Sequence, residues 1–354
     1  LASVSATLAD LADTFDPRTL DAFSVRAGAE MQRAAAILDR RAAAGRVRRC
    51  HGDLHLNNIV LWQGHPVLFD ALEFDEELAT IDTLYDLAFL LMDLAQRGRR
   101  AAANAVLNRY LRRSGSDLDL KGLRALPLLS GLRSAIRAMV TAQRAGQKQG
   151  GARTRDRQEA GRYLQAAVDY LSPPAPRLVV VAGLSGTGKS TVARALAPDL
   201  GPAPGAVHLR SDLERKVLFG VEETARLAAH AYTEAAGAAV YAVLHRKARL
   251  VLSAGHAVIV DAVYVDAEER TGIEAMAGAV GVPFQGVWLE AASQHLIDRV
   301  AARRSDASDA TPDVVRGQLA RETGALGQHW TRIDASGSAA ATLAAARQAL
   351  GSRG

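Results

Sequence analysis

Cysteine, lysine and aromatic residues are scarce in this sequence, and each scarcity excludes something. One cysteine, Cys50, in 354 residues rules out an intrachain disulfide framework and points to a reducing, cytoplasmic setting. Aromatics at 5% leave too little flat surface for a base-stacking platform, so a nucleic-acid partner is not expected. There is no run of eighteen apolar residues and no charged-then-apolar leader, so neither a membrane span nor a signal peptide is predicted. Lysine supplies five of the 43 basic residues, the first at Lys121, and arginine supplies the rest. Such a skew, alongside abundant alanine, follows coding-DNA composition, and the net charge of +5 marks no partner.

What is present is a core-rich chain, 49% hydrophobic and 23% charged, long enough for about two domains. Ser172-Pro173-Pro174-Ala175-Pro176 reads as a stiff linker between residues 1–171 and 177–354. After it, the apolar run Leu178–Val181 leads through Ala182 into Gly183-Leu184-Ser185-Gly186-Thr187-Gly188-Lys189-Ser190-Thr191. This is the Walker A pattern. Its glycines let backbone N–H groups turn inward around a polyphosphate, and the following helix N-terminus adds free donors and a positive dipole end. In that pattern Lys189 reaches the β/γ-phosphates and Ser190 offers its hydroxyl to Mg²⁺, which makes ATP and Mg²⁺ the expected cofactors.

Strand candidates at 178–182, 206–209, 257–260, 284–289 and 329–333 alternate with helical segments at 224–252, 268–279 and 293–303. That alternation predicts an α/β domain with a doubly wound parallel sheet and a ligand crevice at the strand C-termini. Four features converge there. Asp212, where the second strand meets a helix, suits a base for an acceptor hydroxyl, although an ordinary helix N-cap reads the same way. Arg210 and Arg215 beside it suit an anionic substrate. Asp261 ends the apolar strand Val258-Ile259-Val260 in the Walker B form and would bind Mg²⁺. Arg299 and Arg303, one helical turn apart before a small-residue loop, suit a lid over phosphates, with a plain arginine-rich surface helix as the alternative. The loop after Ile333, Asp334-Ala335-Ser336-Gly337, is a candidate adenine-side wall.

The first half is read as mostly helical, with a chain break at Asp16-Pro17 and a solvated basic run at Arg40, Arg41, Arg46, Arg48 and Arg49. Its chemistry lies in His51-Gly52-Asp53-Leu54-His55-Leu56-Asn57-Asn58, followed by strand, turn at Gln63-Gly64, strand and Asp70. Asp, then Asn five positions on, then a hairpin ending in Asp is the arrangement of a kinase catalytic loop with its metal-binding aspartate. In that scheme Asp53 accepts the substrate hydroxyl proton while Asn58 and Asp70 hold Mg²⁺. A hairpin with turn-forming Asp and Asn residues is the alternative.

His51-Gly52-Asp53-x-His55-x-x-Asn58 resembles the aminoglycoside phosphotransferase and choline kinase branch of the kinase fold, over roughly residues 1–170 and as a mostly helical C-terminal lobe. The resemblance implies a preceding β-rich lobe with a phosphate lysine. Neither is found before Lys121, so the lobe is expected to be missing; the start at Leu1 rather than Met fits a truncated N-terminus. Residues 177–350, through Gly183–Thr191, Arg210-Ser211-Asp212, Asp261 and Arg299/Arg303, resemble the gluconate kinase, polynucleotide kinase and zeta-toxin group of P-loop kinases. The whole chain is similar to a two-domain bacterial family of aminoglycoside phosphotransferase/ATP-binding proteins. The resemblance implies transfer of the ATP γ-phosphate to a hydroxyl, with a small hydroxylated metabolite as the leading acceptor. A 5′-hydroxyl polynucleotide kinase and a non-catalytic ATP-binding switch are the rival expectations.

Overall fold

The computed structural model describes residues 1–302, 307–321 and 323–351. The chain forms two compact units, Leu1–Pro174 with the short Pro202–Pro204 segment, and Ala175–Gly201 with Gly205–Gly354.

The N-terminal unit is helical with short strands. It runs α1 (Ala2–Asp10), α2 (Pro17–Ala43), β1 (Val47–Arg49), β2 (Ile59–Trp62), β3 (His65–Leu68), α3 (Glu76–Ala79), β4 (Thr80–Asp82), α4 (Thr83–Gln96), α5 (Arg100–Ser114), α6 (Asp117–Gly122), α7 (Leu126–Gly146) and α8 (Gly150–Tyr170). Asp16 starts α2 by accepting from Thr19 N–H, and Pro17 occupies the first turn, where its missing donor costs nothing. The core lies along α7 and α8, through Leu128, Ala135 and Ala138 of one and Ala160, Leu164 and Ala167 of the other. β2 and β3 form an antiparallel hairpin whose turn residues Gln63 and Gly64 both take positive φ, 50° and 78°, the twist that a two-residue hairpin favours. β1 pairs antiparallel with β4.

One member of the expected solvated basic run is not solvated. Arg41 is fully buried and donates to both Asp82 oxygens at 2.8 Å and to Asp119 at 2.7 Å. Burial alone would lower its proton affinity, but the two carboxylates outweigh that and raise it. The pairing fastens α2 to the start of α4 and to α6.

The C-terminal unit alternates β5 (Leu178–Gly183), α9 (Lys189–Leu196), β6 (Val207–Arg210), α10 (Ser211–Leu218), α11 (Glu234–Ser253), β7 (Val258–Asp261), α12 (Ala267–Val280), β8 (Phe284–Glu290), α13 (Ser293–Ala301), α14 (Pro312–Leu319), β9 (Trp330–Asp334) and α15 (Ala339–Gly351). The strands make one parallel five-stranded sheet in the order β6-β7-β5-β8-β9. β5 is central and buried at every position, which is why it reads as a continuous apolar run. This is the α/β fold expected from the alternation. The expected helix at 224–252 is shorter than its periodicity suggests, because α11 begins only at Glu234. Thr233 caps it by accepting from Ala236 N–H, and Leu227 N–H is drawn instead to the Asp309 carboxylate. Tertiary partners thus override helical propensity over residues 224–233.

His256, just before β7, is buried and its Nε2 meets Gly205 O at 2.9 Å. Burial lowers its pKa to about 4. The unfolded chain, titrating near ~6.5, then binds the proton preferentially between that value and 4. Stability of this unit should fall as pH drops through the window, by up to roughly 3 kcal/mol. Thermal unfolding scans at steps between pH 7 and 4 should show this slope, and His256→Gln should flatten it.

Candidate active site

The loop between β5 and α9 is built on three glycines at φ 136°, 95° and 89°, Gly183, Gly186 and Gly188. A Cβ at Gly183 would collide with Leu289 O, and one at Gly186 would lie 2.7 Å from Leu296 O. Two of the three are therefore required both by conformation and by close approach of the β8 end and α13. A Cβ at Gly188 would meet nothing within 4 Å, so this side of the loop is open. α9 starts directly at Lys189, which leaves its first N–H groups facing the open side. Lys189 Nζ donates to Leu184 O at 2.9 Å, folding the ammonium over the loop.

Parallel register sets the rest. Val181 of β5 and Arg210 of β6 both align with Asp261 of β7, so the phosphate loop, Arg210 and Asp261 leave the sheet side by side. Arg210 Nη2 donates to Ser190 Oγ at 3.2 Å, and its Nε lies 3.5 Å from Asp261 Oδ2. His208 Nε2 is 3.7 Å from the same oxygen. Burial pushes the Asp261 carboxyl up, but His208, Lys189 and Arg210 prevail and hold it below its ordinary range. Asp212, in the first turn of α10, behaves oppositely. Burial and then the charge of Asp261 raise it, with only partial relief from Lys189, Arg210 and a hydrogen bond from Ser308. One crevice thus holds an ionised carboxylate and a more basic one, the usual signature of divided labour.

A cavity of about 250 Å³ opens between Gly186–Gly188, Thr191 and Val192 of α9, and Ala335 and Gly337 beyond β9. Its small, partly apolar walls suit a flat heteroaromatic base. Two expectations change here. Arg299, expected in a lid, lines this cavity and donates to Ala335 O at 2.8 Å and to Ser336 O and Gly337 O at 3.3 Å. Its work is to hold the wall loop, whose carbonyls attract the guanidinium once Asp334 has turned the chain at Ser336 N–H. Arg210, expected to bind an anionic substrate, is turned onto Asp261, one strand away in register, and onto Ser190 in the first turn of α9. Arg215 donates to Ala231 O at 2.6 Å and stacks over the Tyr232 ring at 5.1 Å. Arg303 lies outside the described residues.

Several residues escaped notice in the sequence. Lys216, almost wholly buried, pairs with Asp309 at 2.6 Å, and Asp309 also accepts from Tyr232 OH at 2.6 Å and Leu227 N–H at 3.1 Å. Arg270, also buried, donates to Tyr264 O and Val265 O at 2.8 and 2.7 Å, and to Thr323 O and Ala325 O. It braces the loop after Asp261, where Tyr264 sits at φ 51°, a strained value for a bulky residue. Lys216 and Arg270 look like ordinary surface cations in a helical pattern, so spacing gives no signal for them.

In the N-terminal unit the hairpin brings its polar residues to one end. Asn58 Nδ2 donates to Asp53 O and Oδ2, both at 3.0 Å, and Phe69 N–H donates to Asn58 O at 3.1 Å. Asp70 follows at φ 60°, a left-handed turn next to that pairing. His55 Nδ1 accepts from Asn57 N–H, which leaves Nε2 as the donor toward Asp53 Oδ2 at 3.3 Å. Asp86 of α4 accepts from His51 and Gly52 N–H at 3.0 Å, and buried Arg133 donates to Gly52 O at 3.1 Å. Asp53 and Asn58 therefore sit on a loop gripped from behind. Among the described residues, no three His, Cys, Asp or Glu side chains form a metal cage.

Residues 2–126 match the family model described as phosphotransferase enzyme family, and residues 178–325 match the model described as AAA domain. The chain joins a phosphotransferase-family segment to an AAA-type P-loop segment. The kinase-type reading of both halves is borne out by these matches. Uncharacterized proteins of Mycobacterium tuberculosis and Mycobacterium bovis are 34% identical over 304 residues, covering 83% of this chain and 58% of theirs. The match thus spans little more than half the length of these relatives. Among solved structures, a gluconokinase of Sinorhizobium meliloti is similar at TM-score 0.37 and 19% identity, over 50% of this chain and 93% of its own. An APS kinase of Mycobacterium tuberculosis is similar at TM-score 0.35 and 21% identity, over 50% and 99%. No helix among the described residues is long and apolar enough to cross a membrane.

The Lys216–Asp309 pair of the P-loop segment is open to test. Asp309→Ala leaves a buried ammonium without its carboxylate and should destabilise this unit by roughly 3 kcal/mol. Lys216→Met combined with Asp309→Leu should recover most of that loss in denaturant unfolding.

Proposed function

We propose that the chain is a kinase that transfers the ATP γ-phosphate to a hydroxyl of a small metabolite, with Mg²⁺, at the C-terminal site. The carrying observation is that Lys189, Ser190, Asp212 and Asp261 surround one crevice at the ends of β5, β6 and β7. The donor set fits the cation. Two carboxylates repel each other there with a hydroxyl beside them, and Mg²⁺ takes one or two carboxylates together with phosphate oxygens rather than a protein cage. The open glycine cradle fits the polyphosphate, and the adjoining cavity fits the base.

Phosphoryl transfer demands mostly positioning and charge. The N–H groups of Gly186, Gly188, Lys189 and Ser190, together with the Lys189 ammonium, bind the phosphates. Ser190 and Asp261 would hold the metal, which would supply neutralising charge to the transferring group. Asp212 accepts the proton of the acceptor hydroxyl; its raised proton affinity makes it a better base than a surface aspartate. Arg215, Tyr232 and Asp309 border the acceptor side, and Arg299 holds the base-side wall.

Asp53, Asn58 and Asp70 of the N-terminal unit keep the order of a kinase catalytic loop, with Asp53 in the place of the base and Asn58 and Asp70 in that of the metal ligands. Asp53→Asn should leave the P-loop reaction unchanged.

ATP consumption over sugars, sugar acids, aminoglycosides and oligonucleotides tests the assignment. Lys189→Ala should abolish turnover with the acceptor that works. Asp212→Asn should lower kcat by roughly 10²–10⁴ while ATP still binds. Because Asp212 must be ionised and its pKa is raised, kcat/KM should fall with decreasing pH from above the ordinary carboxylate range. Turnover that survives Lys189→Ala with every acceptor rejects this site.

A further inference from the structure

One peptide unit of the phosphate loop, that joining Leu184 to Ser185, is held on both sides. Its carbonyl accepts from Lys189 Nζ at 2.9 Å and from Thr187 Oγ1 at 2.8 Å. Its N–H, which in a trans peptide points the opposite way, donates to Gln318 Oε1 at 2.9 Å. Gln318 is supplied by α14, 133 residues further along the chain. That helix is seated by Val315, fully buried in a cluster with Leu296 and Val300 of α13, against which Leu184 itself packs. Ser185 is buried, so its N–H has little access to water as a substitute partner.

We propose that Gln318 is a positioning residue of the phosphate site. Through Ser185 N–H it fixes the Leu184–Ser185 peptide in the orientation whose carbonyl seats the Lys189 ammonium. The inference rests on the proposed role of Lys189 in binding the phosphates of ATP. The carbonyl is held on its side by Thr187 as well, through Oγ1 and N–H, and the N–H on the other by Gln318, so the orientation of the unit depends on its partners. Rotated by half a turn, the unit would present an N–H to the ammonium in place of an oxygen. A donor facing a cation is repulsive, and Lys189 would leave its seat. Gln318 blocks that rotation by giving the N–H an acceptor on the far side. A neutral carboxamide suits the place: it supplies an oxygen without adding a negative charge beside bound phosphates.

The test is Gln318→Met, which keeps length and apolar packing but removes the acceptor. Calorimetric titration of the full chain with Mg-ATP should show Kd raised roughly tenfold, the scale of one lost buried partner. The melting temperature should fall by no more than about 4 °C, the scale of one unmet N–H with the packing of Val315 untouched. In a Lys189→Ala background, titrated to millimolar nucleotide, the Gln318→Met effect should shrink below about twofold, as expected for residues acting through one another. An unchanged Kd in Gln318→Met, or a fallen melting temperature with Kd preserved, overturns the inference. Equal Mg-ATP binding by wild type and Lys189→Ala instead overturns the proposed site and takes this inference with it.

Discussion

Two carboxylates of unlike proton affinity, Asp212 and Asp261, share one desolvated crevice, and the surrounding structure is arranged around their charge. Parallel pairing of β6 and β7 delivers Arg210 to Asp261, and β5 delivers the loop that carries Lys189. His208, from the same strand as Arg210, adds a further partner to Asp261. Asp212, two residues beyond β6, receives less of this compensation and is left the more basic. His208, which reaches Asp261 but not Asp212, and the charge of Asp261 itself set the two acids apart.

Arginine does much of the internal fastening, in a chain where lysine is rare. Arg41 ties α2 to α4 and α6 through two carboxylates. Arg133 backs the Asp53 loop through Gly52 O and lies over the Tyr85 ring at 3.9 Å. Arg270 gathers four carbonyls from two loops, and Arg299 gathers three from one. A planar group with five donors can serve several carbonyls at once, which a lysine on a flexible stem does with less geometric definition. The arginine excess that reads as coding bias has therefore been put to structural use at these positions.

Much of the plan was legible in the chain itself. The glycine loop, the alternating strands and the Asp53–Asn58–Asp70 hairpin are local patterns, and local patterns survive folding when the tertiary context agrees with them. What was hidden depends on contacts far apart in sequence. Arg299 sits on a helical face that suits a lid equally well, and only the approach of residues 335–337 reveals what its guanidinium holds. Residues 224–233 carry a helical periodicity that loses to the Asp309 carboxylate and the Thr233 cap. Arg41 belongs to a basic run, and nothing nearby announces that Asp82 and Asp119 will enclose it.

On the proposed assignment, the Arg210 guanidinium already touches both protein groups that would receive the metal, Ser190 and Asp261. Metal uptake is then an exchange between a tethered cation and a mobile one rather than the filling of a vacancy. The free energy that counts is a difference: what the divalent ion gains at those oxygens, less what the guanidinium gives up. Since the phosphates of a nucleotide can receive the displaced guanidinium, the exchange is favoured most when metal and nucleotide arrive together.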